Sequence, residues 1–185
     1  LHYETYDNAY FPSRGVKFHG TYSLNTDNFL EYKDDTPFSI VSGSFEGVVP
    51  ITERFSILPA VHGRMIFGKN IPFSKMNIMG GDIMERYMPE QLPFAGTTDV
   101  ELMDNSLLIG AMKFRQRIGN IHYLTFTGNY ALSSHKIKNI LKEKNMFGCA
   151  ITYGMDSMFG PLEATLNYTN HSDDVGFYIN LGYKF

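Results

Sequence analysis

The sequence has little of what usually reveals a protein's chemistry. Its 185 residues include one cysteine and no tryptophan, which excludes a disulfide within the chain and offers no paired thiols to a metal ion. The formal net charge is -3 at pH 7, without a basic stripe or an acidic block, so no nucleic-acid partner is predicted. No apolar run approaches the roughly 20 residues of a membrane-spanning helix. These absences alone indicate a soluble protein.

The sequence does contain many aromatic residues and glycines, with 12 Tyr, 15 Phe and 17 Gly. Its final stretch, VGFYINLGYKF, places an apolar side chain at every second position from Val175 to Phe185. A period of two indicates a β-strand with one apolar face. The same alternation recurs in segments 16–24, 41–51, 55–67, 147–155 and 162–168, and less regularly in 107–116 and 122–132. The pattern predicts one all-β domain, residues 1–185, built as an antiparallel meander of about eight to nine strands.

The lengths of the predicted connections indicate what each face of the sheet meets. Short connections alternate with long ones, and the long ones are 25–37, 68–105 and 133–146. Outer-membrane barrels sort their loops in this way, with short periplasmic turns and long extracellular loops. We therefore predict a transmembrane β-barrel whose apolar face meets lipid and whose polar face lines a wet lumen. Segment 68–105 would be a long extracellular or lumen loop, and segment 135–145 a short helix in another loop.

Candidate catalytic and metal-binding groups are weak in this sequence. The segment SGSFEG, at 42–47, lacks the G-x-S-x-G spacing of a nucleophile elbow. No two histidines have the spacing of metal ligands, and Cys149 falls on a predicted apolar face, where an inert thiol is the ordinary case. We therefore expect no catalysis, no cofactor and no metal site in this chain.

Three segments resemble sequence motifs of the Omp85 superfamily, which comprises the bacterial surface antigen barrels. DNAYFPSRGVKFHG, at 7–20, resembles the family's D-x-x-x-F-P-x-x-G strand-turn-strand signature, in which Asn8, Pro12 and Gly15 would build the turn. MNIMGGDIMERYMPEQLPFAG, at 76–96, resembles the family's largest loop, where a Gly-Gly pair precedes an R-G-F or R-G-Y tip that folds into the lumen. The ending FYINLGYKF is similar to the C-terminal signal that the barrel-assembly machinery recognises.

The resemblance implies two sets of functional residues. The loop-tip contact with the lumen would involve Gly80, Gly81, Arg86, Tyr87 and Asn129. The assembly signal would consist of Phe177, Ile179, Leu181, Tyr183 and Phe185. The arginine of the family's tip is kept but its glycine is not, and Asn129 stands where the family has an aspartate that pairs with this arginine.

The resemblance also raises the question of which charges meet in the lumen. Glu46 and Glu163 are lumen-side candidates to pair with Arg86. A basic strip on one predicted strand consists of Lys113, Arg115 and Arg117. This basic strip would either pair with Asp82, Glu85 or Glu90 of the long loop or be hydrated in a wet lumen.

The altered tip and the QLPFAG segment after it look most like the barrels fused behind a patatin-like phospholipase domain. The family barrel has sixteen strands, so this chain would be its C-terminal half, with Leu1 an internal position and Phe185 the true end. The expectation is a Gram-negative outer-membrane barrel that anchors, and exports or positions, an N-terminal patatin-like lipase. Its partners would be outer-membrane lipid, the barrel-assembly machinery and the upstream domains of the same polypeptide.

The sequence leaves three alternatives open. They are a protein-insertion or translocation barrel of the Omp85 type, a small porin-like barrel complete in itself, and a soluble β-barrel or sandwich binder. The missing tip glycine and Asn129 disfavour the first, and the alternation of loop lengths disfavours the last. Because open sheet edges in lipid leave backbone groups without hydrogen-bond partners, a nine-stranded piece should close, form a homodimer or belong to a larger barrel.

Overall fold

A computed structural model gives the fold of residues 1–26, 37–68, 71–81, 90–97, 101–102, 104–135, 137–142, 144–171 and 175–182. Nine strands of these residues form one large sheet: β1 (His2–Glu4), β2 (Gly15–Asn25), β3 (Phe38–Pro50), β4 (Phe55–Phe67), β8 (Ser106–Ile118), β9 (His122–Ser134), β10 (Lys144–Ser157), β11 (Gly160–Thr169) and β12 (Val175–Leu181). The connection from β4 to β8 carries a small sheet made of β5 (Ile78–Met79), β6 (Gln91–Leu92) and β7 (Glu101–Leu102).

The large sheet is a meander in the order β1-β2-β3-β4-β8-β9-β10-β11-β12, and the small sheet has the order β6-β5-β7. Each strand of the large sheet lies antiparallel to its neighbours. β9 and β10, for example, keep one register from Met155 opposite His122 to Lys144 opposite Ser133. β4 pairs directly and antiparallel with β8, although the connection between them carries the small sheet. The predicted all-β antiparallel meander is confirmed.

The two faces of the large sheet are inverted relative to those of a soluble sheet. Its apolar side chains are exposed on the outer face, among them Val175 at 69%, Phe177 at 58%, Ile151 at 52% and Phe126 at 47%. The opposite face is polar and buried, with Thr127 at 1%, Thr165 at 2%, Asn167 at 3% and Asn129 at 4% exposure. This inversion is what a wall between hydrocarbon and a polar interior requires.

The large sheet curls around its polar face. Strands β2 to β11 line one cavity of about 500 Å³, which Lys17 of β2 and Glu163 of β11 both border. Phe11, in the turn between β1 and β2, reaches across this concave face and stacks on Tyr123 of β9. The sheet is not closed, because within the described residues β1 and β12 are its two edges and do not pair with each other. The fold is a partial β-barrel.

The connections differ at the two ends of the large sheet. At one end, tight turns at 51–54, 119–121 and 158–159 join β3 to β4, β8 to β9 and β10 to β11. Turn 5–14, between β1 and β2, lies at this same end, which we call the short-turn end. The strand ends that the longer connections 26–37, 68–105, 135–143 and 170–174 join lie at the opposite end, which we call the long-loop end.

The helix predicted over 135–145 is replaced by a smaller element. Ile137–Asn139 forms one turn of 3-10 helix, and β10 already begins at Lys144. The apolar spacing in this segment is helical, but an isolated helix this short has too few hydrogen bonds to offset the cost of nucleation. Among the described residues, no helix is long and apolar enough to cross a membrane.

Candidate functional site on the concave face

The described part of the long connection between β4 and β8 lies on the concave face of the large sheet. We call residues 71–81 and 90–97 the interior segment. Its Phe94 is fully buried. A Cβ built on Gly148 of β10 would lie 2.7 Å from Cε1 of Phe94 and 2.7 Å from the Cα of Gly96. β10 therefore needs glycine at this position for the interior segment to pack against it.

An apolar core holds the interior segment against the sheet. The core consists of Met79, Leu92 and Phe94 of the segment, Leu107 and Ile109 of β8, and Ala131 of β9. The strand residues of this core face inward at the long-loop end, where the rest of the inner face is largely polar. Because burial of each large apolar side chain contributes about 1.5–3 kcal/mol, the segment is a docked part of the fold.

Arg64, on the inner face of β4, ties the beginning of the interior segment to the sheet. Its Nη1 donates to the carbonyl oxygen of Lys75 at 2.9 Å and to Oδ1 of Asn77 at 2.6 Å. Asn77 in turn donates from Nδ2 to the carbonyl oxygens of Arg64 at 3.2 Å and Asp104 at 2.8 Å. Arg64 is 4% exposed and Asn77 0%, so both polar groups are buried with their partners. Sequence reasoning missed this pair, although an inward-facing arginine signals a need for buried acceptors.

Asp104 ties the end of the long connection to the rim of β9. Its Oδ2 accepts a hydrogen bond from Oγ of Ser133 at 3.1 Å, and its Oδ1 lies 2.9 Å from Nδ1 of His135. Lys75 and Glu90 form a further ion pair within the interior segment, with Nζ and Oε1 3.3 Å apart. The described parts of the long connection are therefore tied to β4 through Arg64 and to the rim of β9 through Asp104.

Turn 5–14 is held together by its own side chains. Oδ1 of Asp7 accepts from the backbone N–H of Ser13 at 2.8 Å, and Oδ1 of Asn8 accepts from the N–H of Phe11 at 3.1 Å. Gly15 closes the turn at a φ of 114°, and a Cβ there would lie 2.5 Å from the carbonyl oxygen of Thr5. These contacts are the physical reason for an Asp, an Asn and a Gly at these positions of the turn motif.

The remaining residues of that motif reach into the interior from the short-turn end. Phe11 is 5% exposed, and its ring stacks on Tyr123 with centroids 4.3 Å apart. The guanidinium carbon of Arg115 lies 5.6 Å from the centre of the same ring. Nη1 of Arg115 also donates to the carbonyl oxygen of Pro12 at 3.4 Å. The turn thus enters the concave face from one end and the interior segment from the other.

The large sheet has an apolar outer face and a polar, partly filled interior. Comparison of the sequence with known protein families agrees with this geometry. The sequence profile of the OMP85 superfamily matches residues 1–185. The chain belongs to the OMP85 superfamily. It is an outer-membrane β-barrel protein of the Omp85 type, and members of this superfamily are typically located in the outer membrane. No curated protein matches the chain.

The OMP85 loop resemblance rested partly on Gly80 and Gly81, and the structure gives these glycines a local role. Gly80 has a φ of 153° and Gly81 a φ of 65°. The Gly81 N–H donates to the carbonyl oxygen of Thr97 at 3.1 Å, and the Phe94 N–H donates to the carbonyl oxygen of Gly81 at 3.2 Å. Nε2 of Gln91 donates to the carbonyl oxygen of Gly80 at 2.8 Å. The glycine pair therefore holds the QLPFAG segment in the position from which it packs on the sheet.

The other residues of the predicted loop-tip contact are only partly placed. Arg86 and Tyr87 lie outside the described residues, so their contact with the lumen stays a prediction. Asn129 is 4% exposed on the inner face of β9 and lies opposite Gly148 of β10. Its Nδ2 has no hydrogen-bond partner among the residues that the structure describes. Asn129 is thus buried beside Gly148, the residue of β10 that contacts the interior segment.

The predicted basic strip divides along the strand. Lys113 and Arg115 border the interior cavity together with Glu46 and Glu163, whereas Arg117 is exposed at the short-turn end. Glu90, one of the predicted partners of the strip, instead pairs with Lys75. Asp82 and Glu85 lie outside the described ranges. The interior therefore holds charges of both signs.

Tyr6, in turn 5–14, also borders this cavity. Burial of its phenol raises the pKa of Tyr6, and the negative charges of Glu46 and Glu4 raise it further, while Arg115 lowers it. Because the raised pKa lies far above neutral pH, Tyr6 is an uncharged hydrogen-bonding group at the edge of the cavity.

The described part of the predicted assembly signal lies on the outer face of an edge strand. Phe177, Ile179 and Leu181 of β12 are 58%, 60% and 66% exposed. β12 pairs with β11 alone among the described strands. Tyr183 and Phe185 fall outside the described residues. Within the described ranges, no group of three or more His, Cys, Asp or Glu side chains is placed to hold a metal ion.

Proposed function

We propose that this chain is the membrane-anchoring barrel of an outer-membrane protein that carries a patatin-like lipase domain N-terminal to it. The observation that carries the anchoring role is the inverted sheet, whose outer face exposes apolar side chains on every long strand from β2 to β12. Lipid is the solvent that such a face requires. In this proposal the barrel holds the lipase at the outer membrane, and exports or positions it.

Two features of the interior favour anchoring over protein translocation. The interior segment is fastened by a core and by the buried Arg64–Asn77 pair, so it fills part of the space that a translocated chain would need. Asn129 replaces the acidic partner that the resemblance implies for transport members, and a neutral amide cannot form the corresponding ion pair.

The patatin-like fusion is supported by the QLPFAG segment. This segment supplied the resemblance to the fused barrels, and it contributes Leu92 and Phe94 to the core on the concave face. In this proposal the catalytic serine belongs to the upstream lipase, and this chain contributes no catalytic residue.

The barrel-assembly machinery is the proposed partner of the last strand. The outward residues Phe177, Ile179 and Leu181 lie on a sheet edge in the described structure. An exposed edge presents unpaired backbone groups that can form a further strand pairing. A partner that pairs with the edge of β12 would also contact the apolar side chains on this strand.

The lipase proposal is tested by labelling outer membranes with a fluorescent fluorophosphonate, which reacts with active serine hydrolases. The natural polypeptide is then captured with an antibody raised against residues 104–171 and examined on a denaturing gel. We expect a labelled band larger than the 21.1 kDa of this chain, and loss of the label when the membranes are boiled first. A captured polypeptide without label, in membranes whose other hydrolases are labelled, would refute the lipase fusion.

A second candidate function is insertion or translocation of other proteins, which membership of the OMP85 superfamily favours. The same cells distinguish the two functions after depletion of the polypeptide. The anchoring proposal expects unchanged amounts of other outer-membrane barrels. A general fall in those barrels, together with an unlabelled polypeptide, would establish the second function.

A further inference from the structure

We propose that the tip of the hairpin between β10 and β11 enters the lipid interface at the short-turn end, with Phe159 as its anchoring residue. Ser157 of β10 pairs with Gly160 of β11, so two residues, Met158 and Phe159, form the loop. Met158 is 82% exposed and Phe159 73%. Because two-residue hairpin loops in water favour Asn, Asp and Gly, two large apolar side chains at this tip indicate that it meets an apolar environment.

The shape of this loop does not depend on the Phe159 ring. Oγ of Ser157 accepts a hydrogen bond from the Phe159 N–H at 3.2 Å and donates one to the carbonyl oxygen of Gly160 at 2.5 Å. Gly160 has a φ of 106°, a conformation that glycine adopts without strain. The turn itself therefore gives no reason for a phenyl ring at position 159.

The other tight turns at the short-turn end have polar residues at their tips. Turn 51–54 carries Glu53, and turn 119–121 carries Asn120, and both side chains are exposed. The apolar residue of each turn, Ile51 or Ile121, adjoins a strand. The tip at 158–159 differs from these turns because both of its residues are large and apolar.

The apolar outer face of the sheet leads to this tip. Met155 of β10 lies opposite Leu162 of β11, and Leu162 lies opposite Leu181 of β12. These residues form an apolar row across three strands, two residues before β10 ends at Ser157. Because the chain is an outer-membrane barrel whose outer face meets lipid, lipid is the apolar phase that adjoins the tip.

The height of the apolar band on β10 places its boundary at the tip. The band begins at Phe147, which follows the exposed Asn145 and lies opposite Tyr130 of β9. An outer-membrane barrel has an apolar band about 25 Å tall, which a tilted strand crosses in about ten residues. Counting that distance from Phe147 leads to Ser157. Phe159 therefore lies at the height of the second aromatic girdle, and Phe147 and Tyr130 lie at the first.

A polar pair on the outer face marks the same boundary. The hydroxyl oxygen of Tyr153 lies 2.7 Å from Nδ1 of His122. His122 lies opposite Met155, one outward row closer to the short-turn end than Tyr153, so the hydroxyl is directed toward that end. A tyrosine at a membrane interface has its ring in the apolar region and its hydroxyl among the headgroups. The hydrocarbon thus ends near His122, and the hairpin tip lies in the adjoining interface.

The test uses the absence of tryptophan from this chain. Phe159→Trp is introduced into the whole natural polypeptide in lipid vesicles, and the emission of the unchanged polypeptide is subtracted. Lipids brominated near the top of the acyl chain quench an indole in the interface, and iodide on both sides of the bilayer quenches an indole in water. We expect the brominated lipids to reduce the added emission about twofold or more, and iodide to change it little.

Asn120→Trp is the matched control, because it places the same indole at the tip of a neighbouring turn at the same end of the sheet. Its emission should be reduced by iodide and little by the brominated lipids. The difference between the two variants separates the position of the tip from the general preference of indole for interfaces. Gel mobility before and after heating establishes folding, and Met158→Trp decides the question if Phe159→Trp does not fold.

Three results would overturn the proposal. Iodide quenching of Phe159→Trp equal to that of Asn120→Trp would place the tip in water. Protection of Phe159→Trp from both quenchers would mean that protein covers the tip, either an upstream domain or a second copy of this chain. Equal quenching of both variants by the brominated lipids would assign the insertion to the indole itself. None of these results depends on whether a lipase precedes the barrel.

Discussion

At the scale of the residue, glycine determines where one part of this chain can approach another. Gly148 and Gly154 both lie on β10 and face the concave side of the sheet. Each lacks the Cβ that would collide with a phenylalanine ring. Gly15 meets a different requirement, a backbone conformation with φ of 114°. Two other glycines of the sheet, Gly110 and Gly128, have open space where a Cβ would lie. Glycines in similar alternating sequences therefore serve different physical purposes.

Gly148→Ala should destabilise the barrel by about 1–3 kcal/mol, because the added methyl overpacks the contact of β10 with Phe94 and Gly96. The free energy of unfolding in lipid vesicles is measured by urea titration, with heat-modifiable gel migration as the readout. Gly128→Ala is the control and should change the free energy by about 0.5 kcal/mol or less. Equal stability of the two variants would show that the interior segment does not press on β10.

Arg64→Met should loosen the interior segment while leaving the large sheet intact. Hydrogen bonds from a charged donor contribute about 1.5–3 kcal/mol, and Arg64 makes two to this segment. The backbone amides of residues 71–81 should therefore exchange with deuterium about ten- to a hundredfold faster. Arg54→Met, at an exposed arginine of a short turn, serves as the matched control. Unchanged exchange in Arg64→Met would mean that the apolar core alone holds the segment.

Turn 5–14 should loosen in acid through Asp7. Its slight burial raises the pKa of Asp7, but hydrogen bonds from Ser13 and Arg14 outweigh this and bring it below the ordinary 3.8. A lowered folded-state pKa means that the stabilisation is present above the unfolded value and is lost as pH falls through the folded one. Amide exchange at Ser13 and Arg14, corrected for intrinsic rates, should accelerate below about pH 4. Asp7→Asn should show fast exchange without that pH dependence, and a persisting dependence would assign it to another group.

At the scale of the element, each long strand separates two environments. β10 shows this with two adjacent residues: Ile151 is 52% exposed on the outer face, and Thr152 borders the interior cavity and bonds to Thr165. The same strand must therefore present hydrocarbon-compatible side chains on one side and hydrogen-bonding groups on the other. Alternation with a period of two satisfies both conditions.

Neighbouring lysine substitutions on β10 should have very different effects. Ile151→Lys places a charge in hydrocarbon and should cost about 2–4 kcal/mol near the bilayer midplane. Thr152→Lys directs the charge into a polar cavity that Glu163 also borders, and should cost about 1 kcal/mol or less. Unfolding in lipid vesicles measures both. A larger loss of stability in Thr152→Lys than in Ile151→Lys would mean that lipid meets the concave face and not the outer face.

The elements also show which features the sequence could predict. Faces and strands were predictable because lipid on one side and a polar interior on the other impose the same alternation on every strand, as β12 illustrates. In segment 135–145, where a short helix was predicted, the described residues form only the 3-10 turn Ile137–Asn139, and β10 begins at Lys144. The alternation of apolar and polar residues predicts a strand reliably where each face of the strand meets the same environment along its whole length.

At the scale of the whole molecule, the resemblance implied that the long loop enters the lumen, but the contacts that the loop makes there could not be predicted. Phe94 meets Gly148 and Arg64 meets Asn77 only because the connection between β4 and β8 folds back across the concave face. Nothing in the alternation of either strand encodes that path. The motif of turn 5–14 was recognised from its turn residues, but the burial of its Phe11 depends on Tyr123 and Gly154, which are distant in sequence.

The central claim is that the outer face of this sheet meets lipid and the concave face meets a polar interior. Spin labels placed singly along β9, from Leu124 to Tyr130, test it in vesicles by their accessibility to oxygen and to a water-soluble nickel complex. Leu124, Phe126, Gly128 and Tyr130 should favour oxygen, and Thr125, Thr127 and Asn129 should not, giving a period of two. Uniform accessibility to nickel, or the opposite phase, would contradict the assignment of the faces.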